Sequence, residues 1–157
     1  MAKRRTRRFY RRRRYNIENR PLVVQVPNSM ENGFYQNQIE IVPATLIEGV
    51  RQVARMTITL TSNEPGGYPI FWALCYIPEG TTASALFPNN TTLFNPSNYV
   101  LASGVSDSNA GPIRISSRLR KNLNANDRIF LMTATTKQSA IDPVSYTGLV
   151  RYAICYN

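Results

Sequence analysis

Along residues 16–157, hydrophobic positions fall into short runs separated by clusters of Gly, Pro, Asn and Asp. Eight such runs stand out, at 21–27, 33–42, 54–61, 69–77, 99–105, 112–117, 128–135 and 147–156. Turn-forming stretches such as Glu64-Pro65-Gly66-Gly67, Pro78-Glu79-Gly80 and Asn124-Ala125-Asn126-Asp127 lie between them. They supply the fixed or positive φ angles and local side-chain hydrogen bonds that turns need. The segment Met56-Thr57-Ile58-Thr59-Leu60-Thr61 alternates strictly. It predicts a half-buried antiparallel strand, with Met56, Ile58 and Leu60 inward and three threonines toward solvent or an interface. Ile70-Phe71-Trp72-Ala73-Leu74-Cys75-Tyr76-Ile77 has no polar face. It therefore predicts a strand covered on both sides, by the sheet interior and by a loop or neighbouring subunit. Residues 128–135 and 149–156 read the same way. One helix is predicted, at 45–53, where Leu46, Ile47, Val50 and Val53 share a side, against the helix-weakening Gly49 and valines.

Eight short strands with turns between them imply a sandwich or barrel. The strand count, and the lack of the cysteine and tryptophan spacing of antibody domains, favour a jelly roll. The expected fold class is all-β: a single eight-stranded antiparallel jelly roll over 16–157, preceded by a basic N-terminal arm at 1–15. The connection at 79–98 is long for a compact domain, with apolar anchors at Leu86, Phe87, Leu93 and Phe94. Loops of that length tend to be functional, and here subunit contact is expected of it and of the threonine faces. Cys75 and Cys155 match no CxxC spacing. Buried free thiols are expected, with a mutual disulfide as the alternative.

Charge sharpens the picture. Residues 1–15 carry nine bases and no acid, and residues 16–157 carry ten bases against nine acids. The net charge of +10 thus divides into an arm of +9 and a body of +1. Lys3, Arg4, Arg5, Arg7, Arg8, Arg11, Arg12, Arg13 and Arg14 are the candidate nucleic-acid contacts. Such a segment buries almost nothing and repels itself, but it neutralises phosphates and releases counterions. Arginine's planar fork suits bidentate phosphate contact. Phe9, Tyr10 and Tyr15 either stack on unpaired bases or pack on the body. With no histidine in the chain, the commonest general base and most zinc and haem ligand sets are excluded. Asp107, Asp127 and Asp142 sit in turn-rich segments, where capping is their expected role. No enzyme activity, metal or cofactor is expected. The basic start leads into no apolar stretch and the longest apolar run, 69–78, is too short for a membrane span, so a soluble intracellular protein is expected.

Several segments resemble capsid proteins of small circular single-stranded DNA viruses, the circovirus-like, Rep-encoding group. They are Tyr76-Ile77-Pro78-Glu79-Gly80-Thr81, Asn98-Tyr99-Val100-Leu101-Ala102-Ser103-Gly104-Val105 and Gly111-Pro112-Ile113-Arg114-Ile115-Ser116-Ser117-Arg118-Leu119-Arg120-Lys121-Asn122-Leu123-Asn124, followed by Asp127-Arg128-Ile129. With the arginine-rich start, the likeness covers about half the chain. It implies a jelly roll assembling as about sixty identical subunits into an icosahedral shell around circular single-stranded DNA. It also implies an internal basic arm that carries a nuclear-import signal, placing the protein in the virion and, during assembly, in the host nucleus. Arg114, Arg118, Arg120 and Lys121 are further candidate phosphate contacts; in ordinary strands they would be solvated or interface charges.

This chain is shorter than most capsids of that group, and small satellite RNA viruses also use short jelly rolls with basic arms. DNA is the favoured partner over RNA. A cellular ribosomal or chromatin protein is the rival from another class; such proteins usually spread their bases over the folded surface. Sixty arms of nine charges would offset on the order of 540 phosphates, so a genome of one to a few thousand nucleotides needs further cations.

Overall fold

The computed structural model describes residues 14–26, 30–31, 33–63, 68–83, 86, 99–107, 109, 111–136 and 145–156. Among them are eight strands: β1 (Asn16–Gln25), β2 (Tyr35–Val42), β3 (Arg51–Ser62), β4 (Pro69–Ile77), β5 (Val100–Asp107), β6 (Ile113–Leu123), β7 (Arg128–Thr135) and β8 (Ser145–Tyr156). They form two four-stranded sheets with orders β1-β8-β3-β6 and β2-β7-β4-β5. Every pairing is antiparallel. The fold is therefore all-β, as the sequence pattern implies.

The sheets face each other across one apolar cluster. Leu22, Val24, Ile58, Leu60, Ile115, Val150 and Tyr152 enter it from one sheet, and Ile41, Ile70, Leu74, Ile129 and Leu131 from the other. Met56, Ile58 and Leu60 are buried, while Thr57, Thr59 and Thr61 face away from the core. β4 is covered on both sides. Ile70 and Leu74 enter the main core; Ala73, Cys75 and Ile77 join a second cluster with Met132, Ala134 and Leu86. Leu86, from the 79–98 connection, packs over the middle strands β4 and β7 on the outer side of the β2-β7-β4-β5 sheet. Phe87, Leu93 and Phe94 lie outside the described residues.

The helix predicted at 45–53 does not form. Residues 43–50 are irregular and β3 begins at Arg51, three residues before its expected start. Gly49 takes φ +120°, which breaks helical progression. Leu46 and Ile47, 86% and 63% exposed, have no core to serve. Tertiary hydrogen bonds satisfy the segment instead: Asn126 N–H donates to the Thr45 carbonyl (3.0 Å), and the buried Arg51 donates to the carbonyls of Pro43 (2.9 Å) and Asp127 (3.0 Å). Strands β1 and β6 also exceed their apolar runs. β1 starts five residues before Pro21, and β6 continues six residues past Ser117, because backbone pairing with β8 and β3 persists where the side chains are polar.

Cys75 and Cys155 are both buried free thiols. They lie on the outward sides of opposite sheets, so the about 10 Å between packed sheets separates them beyond the roughly 7 Å limit for a disulfide. Burial pushes the Cys75 thiol up to about 12.

Candidate nucleic-acid interface

The near-neutral body is polarised between its two sheets. Strands β1, β3, β6 and β8 hold eight bases (Arg20, Arg51, Arg55, Arg114, Arg118, Arg120, Lys121 and Arg151) against one acid, Glu18. Strands β2, β4, β5 and β7 hold one base, Arg128, against Glu40 and Asp107. A formal body charge of +1 conceals this separation.

Strand alternation then sorts the eight bases by face. Arg20 donates to the Ile41 carbonyl at 3.0 Å. Arg51 is 4% exposed and its guanidinium is spent on backbone carbonyls. Lys121 pairs with the inward Val53 and sets its Nζ 3.8 Å over the Tyr76 ring, a cation–π contact. These three lie between or at the rim of the sheets. Arg114, Arg120 and Arg151 sit at outward positions, and all are exposed. Arg114 is opposite the outward Thr59, Arg120 opposite Ala54, and Arg151 opposite Thr57.

A bulge adds to this outward group. Between the pairs Ala54↔Arg120 and Met56↔Ser117, two residues of β6 oppose the single Arg55 of β3. Arg55 takes φ +53° there and is exposed; Arg118 is exposed on the other side of the same bulge. A bulge keeps core alternation on both sides while re-aiming one side chain. Here it allows Ala54 and Met56 to keep opposite faces while an extra arginine is turned out.

The outward positions of this sheet carry no carboxylate, since the one acid of its four strands, Glu18, accepts from the Tyr152 hydroxyl at 2.6 Å. Burial first, and Glu18 second, hold the Tyr152 phenol well above its ordinary value. The threonines expected to mediate subunit contact, Thr57, Thr59 and Thr61, lie among these arginines, which makes their surroundings basic rather than neutral.

Of the nine arm residues, only Arg14 is among the described residues; it is exposed. Lys3, Arg4, Arg5, Arg7, Arg8, Arg11, Arg12 and Arg13 lie outside them, as do Phe9 and Tyr10. Tyr15 packs on the body: it is half-buried, and its hydroxyl donates to Gln52 Oε1 on β3. Gln52 is outward and paired with Cys155 of β8. The tyrosine therefore reaches over β8, bringing the root of the arm onto the face that bears the arginines.

Sequence reasoning singled out Arg114, Arg118 and Arg120, which share a strand with that face, and Lys121, which turns away from it. It missed Arg55 and Arg151. Both had readable outward phases, Arg151 in the alternation of 147–156 and Arg55 in that of Met56–Thr61; the bulge beside Arg55 had no sequence signal. Among the described residues, no cluster of His, Cys, Asp or Glu could hold a metal ion.

No protein-family model matches the chain, and no curated protein matches it. Among solved structures, the chain is similar to one in the empty head of turnip yellow mosaic virus, at 10% identity and a TM-score of 0.47, covering 92% of this chain and 82% of that one. It is also similar to chains of infectious bursal disease virus. The Gx strain gives 10% identity and a TM-score of 0.38 over 87% of this chain and 32% of that one; the Gt strain gives 10% and 0.38 over 92% and 33%. At these scores the likenesses assign neither a family nor an activity.

Proposed function

We propose that this chain is the coat protein of a small virus, which self-assembles into an icosahedral shell and packages a single-stranded genome through its arginine-rich arm. The observation that carries this reading is the segregation of charge. Nine bases lie in the first fifteen residues, and the arm's root is laid over the sheet whose outward strand positions are basic and carry no carboxylate. A spread-out basic surface, as expected of a ribosomal or chromatin protein, would not leave the second sheet with one base against two acids.

The strand order supports the fold part of the reading. Antiparallel partners β1–β8, β2–β7, β3–β6 and β4–β5 nest inside one another, as they do when one long hairpin is rolled into two sheets. That winding is the one a jelly roll has, an architecture common in viral shells, and it supports the jelly-roll reading. The exposed Leu46 and Ile47 give the subunit an apolar contact for a neighbour. Circular single-stranded DNA is the genome we favour, on the resemblance of residues 76–81, 98–105 and 111–124 to circovirus-like capsids. The same resemblance supports about sixty subunits, an arm facing inward, and import into the host nucleus by a receptor for the basic segment. The protein acts by binding and assembly, without catalysis.

Sedimentation of the expressed protein with and without single-stranded DNA tests this. The coat-protein reading expects a closed, fast-sedimenting species whose yield falls with added salt. It also expects that species to be lost when Arg4, Arg5, Arg7, Arg8 and Arg11–Arg14 are changed to glutamine. A protein that stays monomeric under all these conditions would overturn it.

A further inference from the structure

We infer that the outward side of the β1-β8-β3-β6 sheet is a second phosphate-binding surface that takes the backbone of single-stranded nucleic acid. The inference rests on the coat-protein reading for its biological setting, but its chemistry stands on the sheet itself. Arg114, Arg120 and Arg151 occupy outward positions on the strands flanking β3, with Arg55 and Arg118 at the bulge among them. From the level of Thr59 to that of Ala54 the cluster runs about 17 Å along the strands and about 10 Å across them. Its members therefore lie within about one to two Debye lengths of each other at physiological salt.

Among the described residues no carboxylate shares that face, and the neutral outward residues between the arginines, Thr57, Thr59 and Ser116, can donate only hydroxyl hydrogens to an acceptor. Five like charges without a counter-charge are self-repelling, and a polyanion relieves that repulsion. Beside them, toward β1, Ile17, Val23 and Leu149 are about half-exposed on the same face. They offer apolar ground to unpaired bases, which a duplex would keep stacked inside. The outer side of the opposite sheet has no such charge: its exposed edges carry Glu40 and Asp107, and Leu86 packs over its middle strands. Tyr15 fixes the arm's root over the Gln52 end of the face.

The test uses the full chain and a thirty-nucleotide oligo(dT), with affinity measured against salt for wild type and for R114Q/R120Q/R151Q. Each single-strand phosphate contact contributes about 0.7 to the slope of log K against log salt. The triple variant should lose about 2 from that slope, binding about a hundredfold more weakly at 0.1 M salt and converging on wild type near 1 M. K121Q, which removes a charge from the inward side, should leave the slope unchanged. A triple-variant slope equal to that of wild type would overturn the second surface while leaving the arm and the coat-protein reading intact. Failure of the wild-type chain to bind oligo(dT) would instead remove the proposed function. Should the triple variant fold poorly, arginine modification of the wild type by a dicarbonyl reagent replaces it. Oligo(dT) should protect Arg114, Arg120 and Arg151 but not Arg128; equal modification with and without oligo(dT) would overturn the inference.

Discussion

Asp127 gives the sharpest energetic prediction. It is 2% exposed and sits at the turn between β6 and β7. One carboxylate oxygen accepts from the Tyr76 hydroxyl (2.9 Å) and from the Asn124 N–H (2.7 Å), and the other accepts from the Glu79 N–H (3.1 Å). One side chain thus closes its own turn and ties it to the end of β4, where the connection that carries Leu86 begins. Asp127→Ala leaves three donors without their acceptor. Hydrogen bonds to charged groups contribute about 1.5–3 kcal/mol each, but all three are only partly buried and water recovers some of the loss. A total of about 3–5 kcal/mol follows, in line with removing one partner of a buried charged network. Tyr76→Phe removes one bond and should cost about 1 kcal/mol. Urea unfolding of salt-dissociated subunits, followed by the fluorescence of Trp72, the single tryptophan, measures both. For a domain of this size, Asp127→Ala should lower the melting temperature by about 6–15 °C. In the double variant, the two effects should fall short of additivity by about 1 kcal/mol. An Asp127→Ala loss below about 1 kcal/mol would refute the reasoning, because the network would then be holding nothing.

Other predictions follow from equally local features. A Cβ on Gly148 would stand 1.8 Å from the Thr59 carbonyl oxygen. Gly148→Ala should therefore destabilise by about 3 kcal/mol in urea unfolding, and a gain in stability, usual for Gly→Ala in a strand, would contradict the close approach. Burial, reinforced by the hydrogen bond and charge of Asp127, pushes Tyr76 from 10.0 up to about 12, and burial alone takes Cys75 from 9.0 to about 12. The folded state then holds protons that the unfolded chain releases. Stability should be full below about pH 9 and decline through pH 12, less steeply in Tyr76→Phe; a urea midpoint flat from pH 9 to 11.5 would disagree. Replacing the exposed Leu46 and Ile47 by serine should change subunit stability by less than about 0.5 kcal/mol. Sedimentation should nevertheless show weaker assembly, and unimpaired assembly would remove these residues from the interface.

How far the sequence reveals this molecule depends on whether the signal is local. The Met56–Thr61 alternation fixed the faces of β3, and the all-apolar 70–77 run announced a strand covered twice, with Leu86 as one of its covers. The capping role expected of Asp127 is likewise met. The helix expected at 45–53 failed because its apolar spacing serves no core there: Arg51 and Asn126 bind the backbone from across the fold. The site was only partly legible. Arm charge is countable, but the polarity of the body is not, since it emerges only when strands distant in sequence are sorted into two sheets. Lys121 was legible by contrast: it keeps the inward phase of Ile113 and Ile115 along β6, which sets it over Tyr76.

The most direct test of the central claim is electron microscopy of the expressed full-length protein, with nuclease treatment before and after extraction of the nucleic acid that co-purifies. The account predicts uniform closed shells holding nuclease-protected nucleic acid, which after extraction is degraded by a single-strand-specific DNase and resists RNase. Subunits that bind nucleic acid but never close into shells would contradict it.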